Sequence, residues 1–177
     1  MTPNRGVKRR PRSLLSASET AQYETIVRRY SERLVQMLGV IFLDRELAAD
    51  AAQEAFVQLY LHFQEVGESP NPEAWIYRVA VNRGKDYKRQ LIRKARLLAR
   101  LTSAPQASCG GTALMDDDFM RILKQLPLKQ RTAAALFYQA DLSISQIARI
   151  MDISEGAVNS HLNRARQTLK TLLEVRR

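Results

Sequence analysis

The 177 residues suffice for one domain of ordinary size or two small ones, and 45% hydrophobic residues are enough for packed cores, which excludes a wholly disordered chain. Lysine and arginine outnumber aspartate and glutamate 28 to 18, and the net charge of +10 points to a polyanionic partner, either nucleic acid or an anionic membrane surface. No apolar run reaches the length of a membrane span, the amino terminus lacks the apolar segment of a secretory signal, and the single cysteine, Cys109, has no internal disulfide partner; the expectation is a cytoplasmic protein without membrane insertion.

Residues 1–20 are basic, contain Pro and Ser, and have no hydrophobic period, so they read as a disordered tail. Tyr23, Ile26, Val27, Tyr30, Leu34 and Leu38 then recur at helical spacing, with Gly39 as the expected stop. A second helix is expected from about Arg45 to Val66, burying Ala52, Phe56, Leu59 and Phe63. The loop "GESPNP" interrupts it. Asn71 is a good N-cap and Pro72 a good first residue for a third helix, which continues through Trp75, Ile76, Val79 and Ala80 to about Leu98. "TSAPQASCGGTALMDDD" is small and polar with a Gly pair and no period, the signature of a linker over residues 101–116. It divides two helical domains, about 21–100 and 117–177. In the second, Phe119, Ile122, Leu123 and Leu126 share a face, Pro127 breaks the pattern, and Ala134, Leu136 and Phe137 resume it. The fold class is all-α: two small helical domains joined by a flexible linker.

The stretch "ISQIARIMDISEGAVNSHLNRARQTL" reads as two helices meeting at a tight turn. Ile144, Ile147, Ala148 and Met151 form the buried stripe of the first, Asp152 sits at the turn, and Ser154 caps the second. Val158, Leu162, Ala165 and Leu169 lie on one side of that second helix. The opposite arc carries Asn159, Ser160, Asn163, Arg164 and Gln167, side chains of the kinds that read base edges and hold phosphates. A solvated helical hairpin would explain the polar arc equally simply. The turn, the cap and the positive charge favour a helix-turn-helix docked in the major groove of duplex DNA.

The first domain separates its charges. Ser31 to Tyr77 holds eight acidic and two basic residues, whereas Arg78 to Arg100 holds nine basic residues opposed only by Asp86. Such separation indicates two surfaces with different partners. Asp50, Gln53 and Glu54 fall on one exposed helix face. Arg78, Arg83, Lys85, Lys88 and Arg89 are interleaved with Trp75, Tyr77 and Tyr87, a mix suited to single-stranded DNA, whose phosphates need neutralising and whose bases need stacking partners. Taken alone, Trp75 would read as a core residue.

"ADAAQEAFVQLY", "WIYRVAVNRGKDYKR", "LPLKQRTAAALFY" and "LSISQIARIMDISEGAVNSHLNRARQTLK", in this order and spacing, resemble the extracytoplasmic-function group of bacterial RNA polymerase sigma factors. The resemblance covers nearly everything but the tail and the linker. It implies that Asp50, Gln53 and Glu54 meet the clamp helices of the polymerase β′ subunit, with the β subunit also part of the core partner. It further implies that loop Gly67–Pro72 and the helix after it, with Trp75 and Asn82, melt the −10 element and capture a flipped base. Asn159, Ser160, Asn163 and Arg164 would read the −35 element of promoter DNA, and the linker would thread near the RNA path. Anti-sigma factors are common partners in such a family.

The chain departs from the pattern in several places. Asp152 stands where Gly is usual, Asn159 and His161 replace residues that are often basic, and Gly84 interrupts a helix that is usually continuous. The basic tail has no counterpart. The alternative is a stand-alone helix-turn-helix regulator binding duplex DNA as a dimer. An enzyme is not expected: His62, His161 and Cys109 make no metal cluster, no Gly-rich phosphate loop is present, and no cofactor is implied.

Overall fold

The computed structural model describes residues 15–67, 69, 71–101 and 117–174, and all regular structure among them is helical. The helices are α1 (Ala17–Phe42), α2 (Arg45–Leu61), α3 (Phe63–Val66), α4 (Pro72–Leu101), α5 (Asp117–Gln125), α6 (Leu128–Tyr138), α7 (Ile144–Met151) and α8 (Glu155–Glu174). The all-α class expected from hydrophobic spacing is what the chain adopts. Linker residues 102–116 lie outside the described residues.

Local chemistry sets most helix ends. At the start of α1, Ser16 Oγ accepts the Glu19 N–H at 3.3 Å, and the Ser16 N–H donates to the Glu19 carboxylate at 2.7 Å. This reciprocal pair satisfies two amides that the helix leaves unpaired, a gain of about 1 kcal/mol. The helix therefore begins at Ala17, so residues 17–20, expected within the tail, are helical. Gly39 does not stop α1. The helix continues to Phe42 because Val40, Ile41 and Phe42 are buried, and it ends where Leu43 turns left-handed at φ 56°.

Asp44 caps α2 through the Leu47 N–H at 3.0 Å, and Asn71 caps α4 through the Ala74 N–H at 3.1 Å, as its sequence position predicted. The single helix expected over 45–66 is two: the backbone leaves the helical region at His62 (φ −115°, ψ 17°), and α3 follows as one turn. No Pro or Gly marks that break. Its cause is packing, since both Leu59 before it and Phe63 after it are buried.

In the first half, α2 packs on both α1 and α4. Leu34, Leu38 and Ile41 of α1, the small Ala51 and Ala55 of α2, and Ile76, Ala80 and Val81 of α4 are buried in this core. In the second half, Leu136, Ile147, Val158 and Leu162 hold α6, α7 and α8 together. These are the two expected helical bundles, and they are docked. α1 packs on α6 and α4 on α7, so the buried residues form one continuous cluster.

Arg131 of α6 lies at the junction, 4% exposed. Its Nε donates to the Ile41 carbonyl at 2.7 Å, and its Nη1 to the carbonyls of Leu123 at 2.9 Å and Leu126 at 3.2 Å. Ile41 and Leu123 lie in the last turns of α1 and α5, and Leu126 follows α5, where backbone carbonyls lack intrahelical partners. One buried cation thus bonds all three, although the Leu123 carbonyl also accepts the Leu126 N–H at 3.1 Å.

Candidate nucleic-acid interface

α7 and α8 meet at the expected turn. A capping box opens α7: Ser143 Oγ accepts the Gln146 N–H at 3.3 Å, and the Ser143 N–H donates to the Gln146 side chain at 2.8 Å. α7 ends where Asp152 adopts φ 56°, ψ 52°, the left-handed conformation that an aspartate tolerates better than most residues. Ser154 then caps α8 by accepting the Ala157 N–H at 3.2 Å. Val158, Leu162 and Ala165 are buried and Leu169 is half-buried, so the opposite arc must face outward. Asn159, Ser160, Asn163, Arg164 and Gln167 are all exposed, as predicted.

Of three neighbours of that arc, Arg166 and Arg149 were not singled out in the sequence, and His161 was noted only as a departure from the family's pattern. Arg166 is held against α6, with its Nε donating to the Tyr138 hydroxyl at 2.7 Å and its guanidinium 5.9 Å from the Phe137 ring. It braces α8 rather than reaching outward. His161 is half-buried beside the arc, and burial, Lys129 and Arg164 together hold its imidazole below the usual histidine pKa. Arg149 is exposed at the turn, beside Ser145 and Ser154, in a cleft of about 600 Å³. The local signal for Arg149 was its place between the buried Ala148 and Ile150.

The basic helix α4 is more selective than its composition. Arg78, Asn82 and Arg89, at i, i+4 and i+11, lie along one exposed face. Trp75 borders that face, half-buried, its ring 6.2 Å from His62. Lys85 belongs to the same stripe yet is half-buried, near Lys129 and Asp152, and burial lowers its ammonium pKa. Lys88 instead continues the inner stripe of Tyr77, Val81 and Gly84. Burial and Arg131 lower its pKa against the opposing effect of Asp44.

Two sequence expectations are corrected here. Tyr77, grouped with the flat side chains for bases, is a core residue at 1% exposure, and burial pushes its phenol up to about 12. Tyr87, like Trp75, is half-buried against the core, so only part of either ring is open.

On α2, Asp50 and Gln53 are exposed as expected. Glu54 is not free. It is half-buried, with its carboxylate 3.5 Å from Arg83 and accepting from the Gln58 amide at 2.9 Å. Glu54 and Arg83, assigned to different surfaces from the sequence, are therefore one cross-helix ion pair. An apolar groove of about 370 Å³ between α1 and α2, lined by Tyr23, Val27, Phe56 and Val57, adjoins Gln53. Of the loop before α4, residues 68 and 70 lie outside the described residues. Among the described residues no group of His, Cys, Asp and Glu is placed to hold a metal ion, and no helix is long and apolar enough to cross a membrane.

The pattern of the family described as Sigma-70 region 2 matches residues 26–94, and that of Sigma-70, region 4 matches residues 116–169. The ECF RNA polymerase sigma factor SigM of Bacillus subtilis is 29% identical over 153 residues, covering 84% of this chain and 93% of that protein. SigW of the same organism, another ECF RNA polymerase sigma factor, is 26% identical over 182 residues, covering 94% and 96%. Among solved structures, the sigma factor RpoE in complex with the anti-sigma factor NepR, from Bartonella quintana, shares the fold. It superposes with a TM-score of 0.69 at 21% identity over 88% of this chain and 98% of that one.

Proposed function

The chain belongs to the sigma-70 family of RNA polymerase sigma factors, in its extracytoplasmic-function group, and from that premise we propose a role for each of its surfaces. As a sigma factor it directs core polymerase to promoters and initiates transcription there. The observation that carries the assignment of surfaces is the pair of outward helix faces, one on α4 and one on α8, each built on a buried stripe that leaves it no other orientation.

In this reading Asn159, Ser160, Asn163, Arg164 and Gln167 enter the major groove at the −35 element, where amides and guanidinium pair with base edges. Arg78, Asn82 and Arg89 hold the separated strand at the −10 element, with Trp75 at the edge as a stacking surface and Lys85 as a further cation. Lys88 and Arg83 support this helix, the first from its inner side and the second through Glu54. Asp50 and Gln53 face the β′ clamp, and Glu54 sets the level of that surface. Residues 21–100 and 117–177 divide the two tasks, and residues 101–116 join them. The chain carries out no covalent chemistry and works in the cytoplasm. An anti-sigma factor is a partner of the structural relative and is proposed for this chain on that likeness.

Asn82→Ala is the direct test, because Asn82 is exposed and makes no contribution to the core. Core binding should be retained while thymines around the start site lose permanganate reactivity on a closed template, and a pre-melted template should restore part of it. Unchanged reactivity on the closed template would remove α4 from strand capture. The stand-alone duplex regulator predicts instead that the purified chain recognises promoter DNA tightly without core polymerase.

A further inference from the structure

The stripe that begins with Arg78 and Asn82 does not end at Arg89. Positions 78, 82, 85, 89, 93, 96 and 100 of α4 recur at spacings of three and four, so Arg93, Arg96 and Arg100 extend the same side of the helix. All three are exposed. Among the described residues none of them takes part in an ion pair, whereas Arg83 is held by Glu54 and Arg89 by Asp86. Asp86 is also the last acidic residue of α4.

This end of α4 outruns the bundle that the helix helps to form. Its buried positions stop at Gly84, and between Arg89 and Arg100 every residue but the half-buried Ala95 is exposed. The segment stays helical without burial because it consists almost wholly of strong helix formers, with neither Gly nor Pro to interrupt it. Leu91 and Leu98 continue the inner stripe of Tyr77 and Gly84, on the side opposite the arginines. The cations therefore project away from the side that packs on α1 and α2.

From Arg89 to Arg100 the helix axis advances about 16 Å. Duplex DNA carries one phosphate charge per about 1.7 Å, so that length of duplex presents roughly ten. A row of cations at regular rise, with no acid interleaved, matches such a uniform polyanion better than a protein surface of mixed charge. The Sigma-70 region 2 pattern ends at residue 94, which leaves Arg96 and Arg100 beyond it.

We propose that the end of α4, through Arg93, Arg96 and Arg100, binds the phosphate backbone of the double-stranded spacer between the −10 and −35 elements. This rests on the strand-holding role of α4 and extends that helix's contact from melted strand to duplex. The end of α4 leads through residues 102–116 into the half that reads the −35 element, so the stripe leaves the −10 site on the −35 side. Phosphate contacts fix register without reading sequence, and the gain in affinity is the same for every spacer sequence.

The test uses holoenzyme assembled with the full chain or with the triple variant Arg93→Gln, Arg96→Gln, Arg100→Gln. These positions are exposed, and Gln keeps the helix propensity. Affinity is measured over a salt series on an ordinary promoter duplex, and on one whose spacer phosphates beside the −10 element are neutral methylphosphonates. On the ordinary duplex the variant should lose about 2 to 3 from the slope of log affinity against log salt. The neutral spacer should weaken the parent similarly and leave the variant unchanged. Lys94→Gln, a charge loss on another side of the same segment, should stay near the parent. An unchanged salt slope overturns the contact, as do losses from the variant and the neutral spacer that simply multiply. So does a loss per charge as large for Lys94→Gln, or an equal defect in binding core polymerase without DNA. The triple variant should keep parental affinity for a single-stranded −10 oligonucleotide, and Asn82→Ala reports separately on whether α4 holds that strand at all.

Discussion

Gly84 of α4 lies against the ring of Phe42 at the end of α1, so close that a Cβ at position 84 would run into the ring. Read in the sequence, Gly84 weakens a helix. In the structure it is what allows α4 to cross α1 beside the junction of the two halves.

Gly84→Ala therefore sets two effects against each other. Alanine favours a helix interior by about 1 kcal/mol, while overpacking a full core typically costs about 1–3 kcal/mol. Phe42 is itself buried, 4% exposed, so the ring has little room to move and the clash should win. The expected result is a lower denaturant midpoint than the parent. A midpoint equal or higher would show that Phe42 repacks freely.

Asp50→Lys should slow association with core polymerase, because a charge at the rim of an interface acts mainly on encounter. The defect should be largest at low salt and shrink as the screening length falls from about 30 Å at 0.01 M to about 8 Å at 0.15 M. Asp50 is the cleaner probe than Glu54, whose reversal would also release Arg83. Association rates that do not respond to salt in the variant and parent alike would displace this surface from the polymerase contact.

Arg164→Ala should weaken promoter binding by about 1–3 kcal/mol and relax preference at one base position if the guanidinium reads a guanine, or weaken all sequences evenly if it holds a phosphate. Arg166→Ala should act differently. Since Arg166 is engaged with Tyr138, the loss should appear first as a lower melting temperature of the chain. Selection from a randomised −35 library separates the two.

His161 makes stability fall with acid. Its folded pKa lies below the 6.5 of the free side chain, first through burial and then through Lys129 and Arg164. Above pH 6.5 both folded and unfolded chains carry a neutral imidazole, so it adds no slope. Below that, the unfolded chain binds the proton first, and stability drops until the depressed folded value is passed. His161→Gln should flatten the acid side of the stability profile from pH 6.5 downward. Parallel profiles for variant and parent would show that His161 feels no such environment.

The helices, their caps and the outward arc of α8 were legible because each depends on short-range chemistry. Ser143, Ser154 and Asn71 each bond an amide three residues away, and a buried stripe such as Val158, Leu162 and Ala165 dictates which side chains face out. Asp152 in the left-handed turn was legible for the same reason. Periodicity also placed Asp50 and Gln53 on the surface.

What only the tertiary structure decided are the relations between residues far apart in the chain. Gly39 and Gly84 carry the same local signal, but burial of Val40 to Phe42 carries α1 past the first, and the Phe42 ring gives the second its purpose. The break at His62 has no local mark and comes from packing on either side of it. Glu54 and Arg83 are 29 positions apart, and nothing in either neighbourhood announces their pairing. Nothing in the sequence around Arg131 marks it as buried, yet the ends of α1 and α5 present carbonyls that its guanidinium fork can satisfy together. Composition counts cations. Only the packing of helices determines which of them face water and which are spent on the chain's own carbonyls.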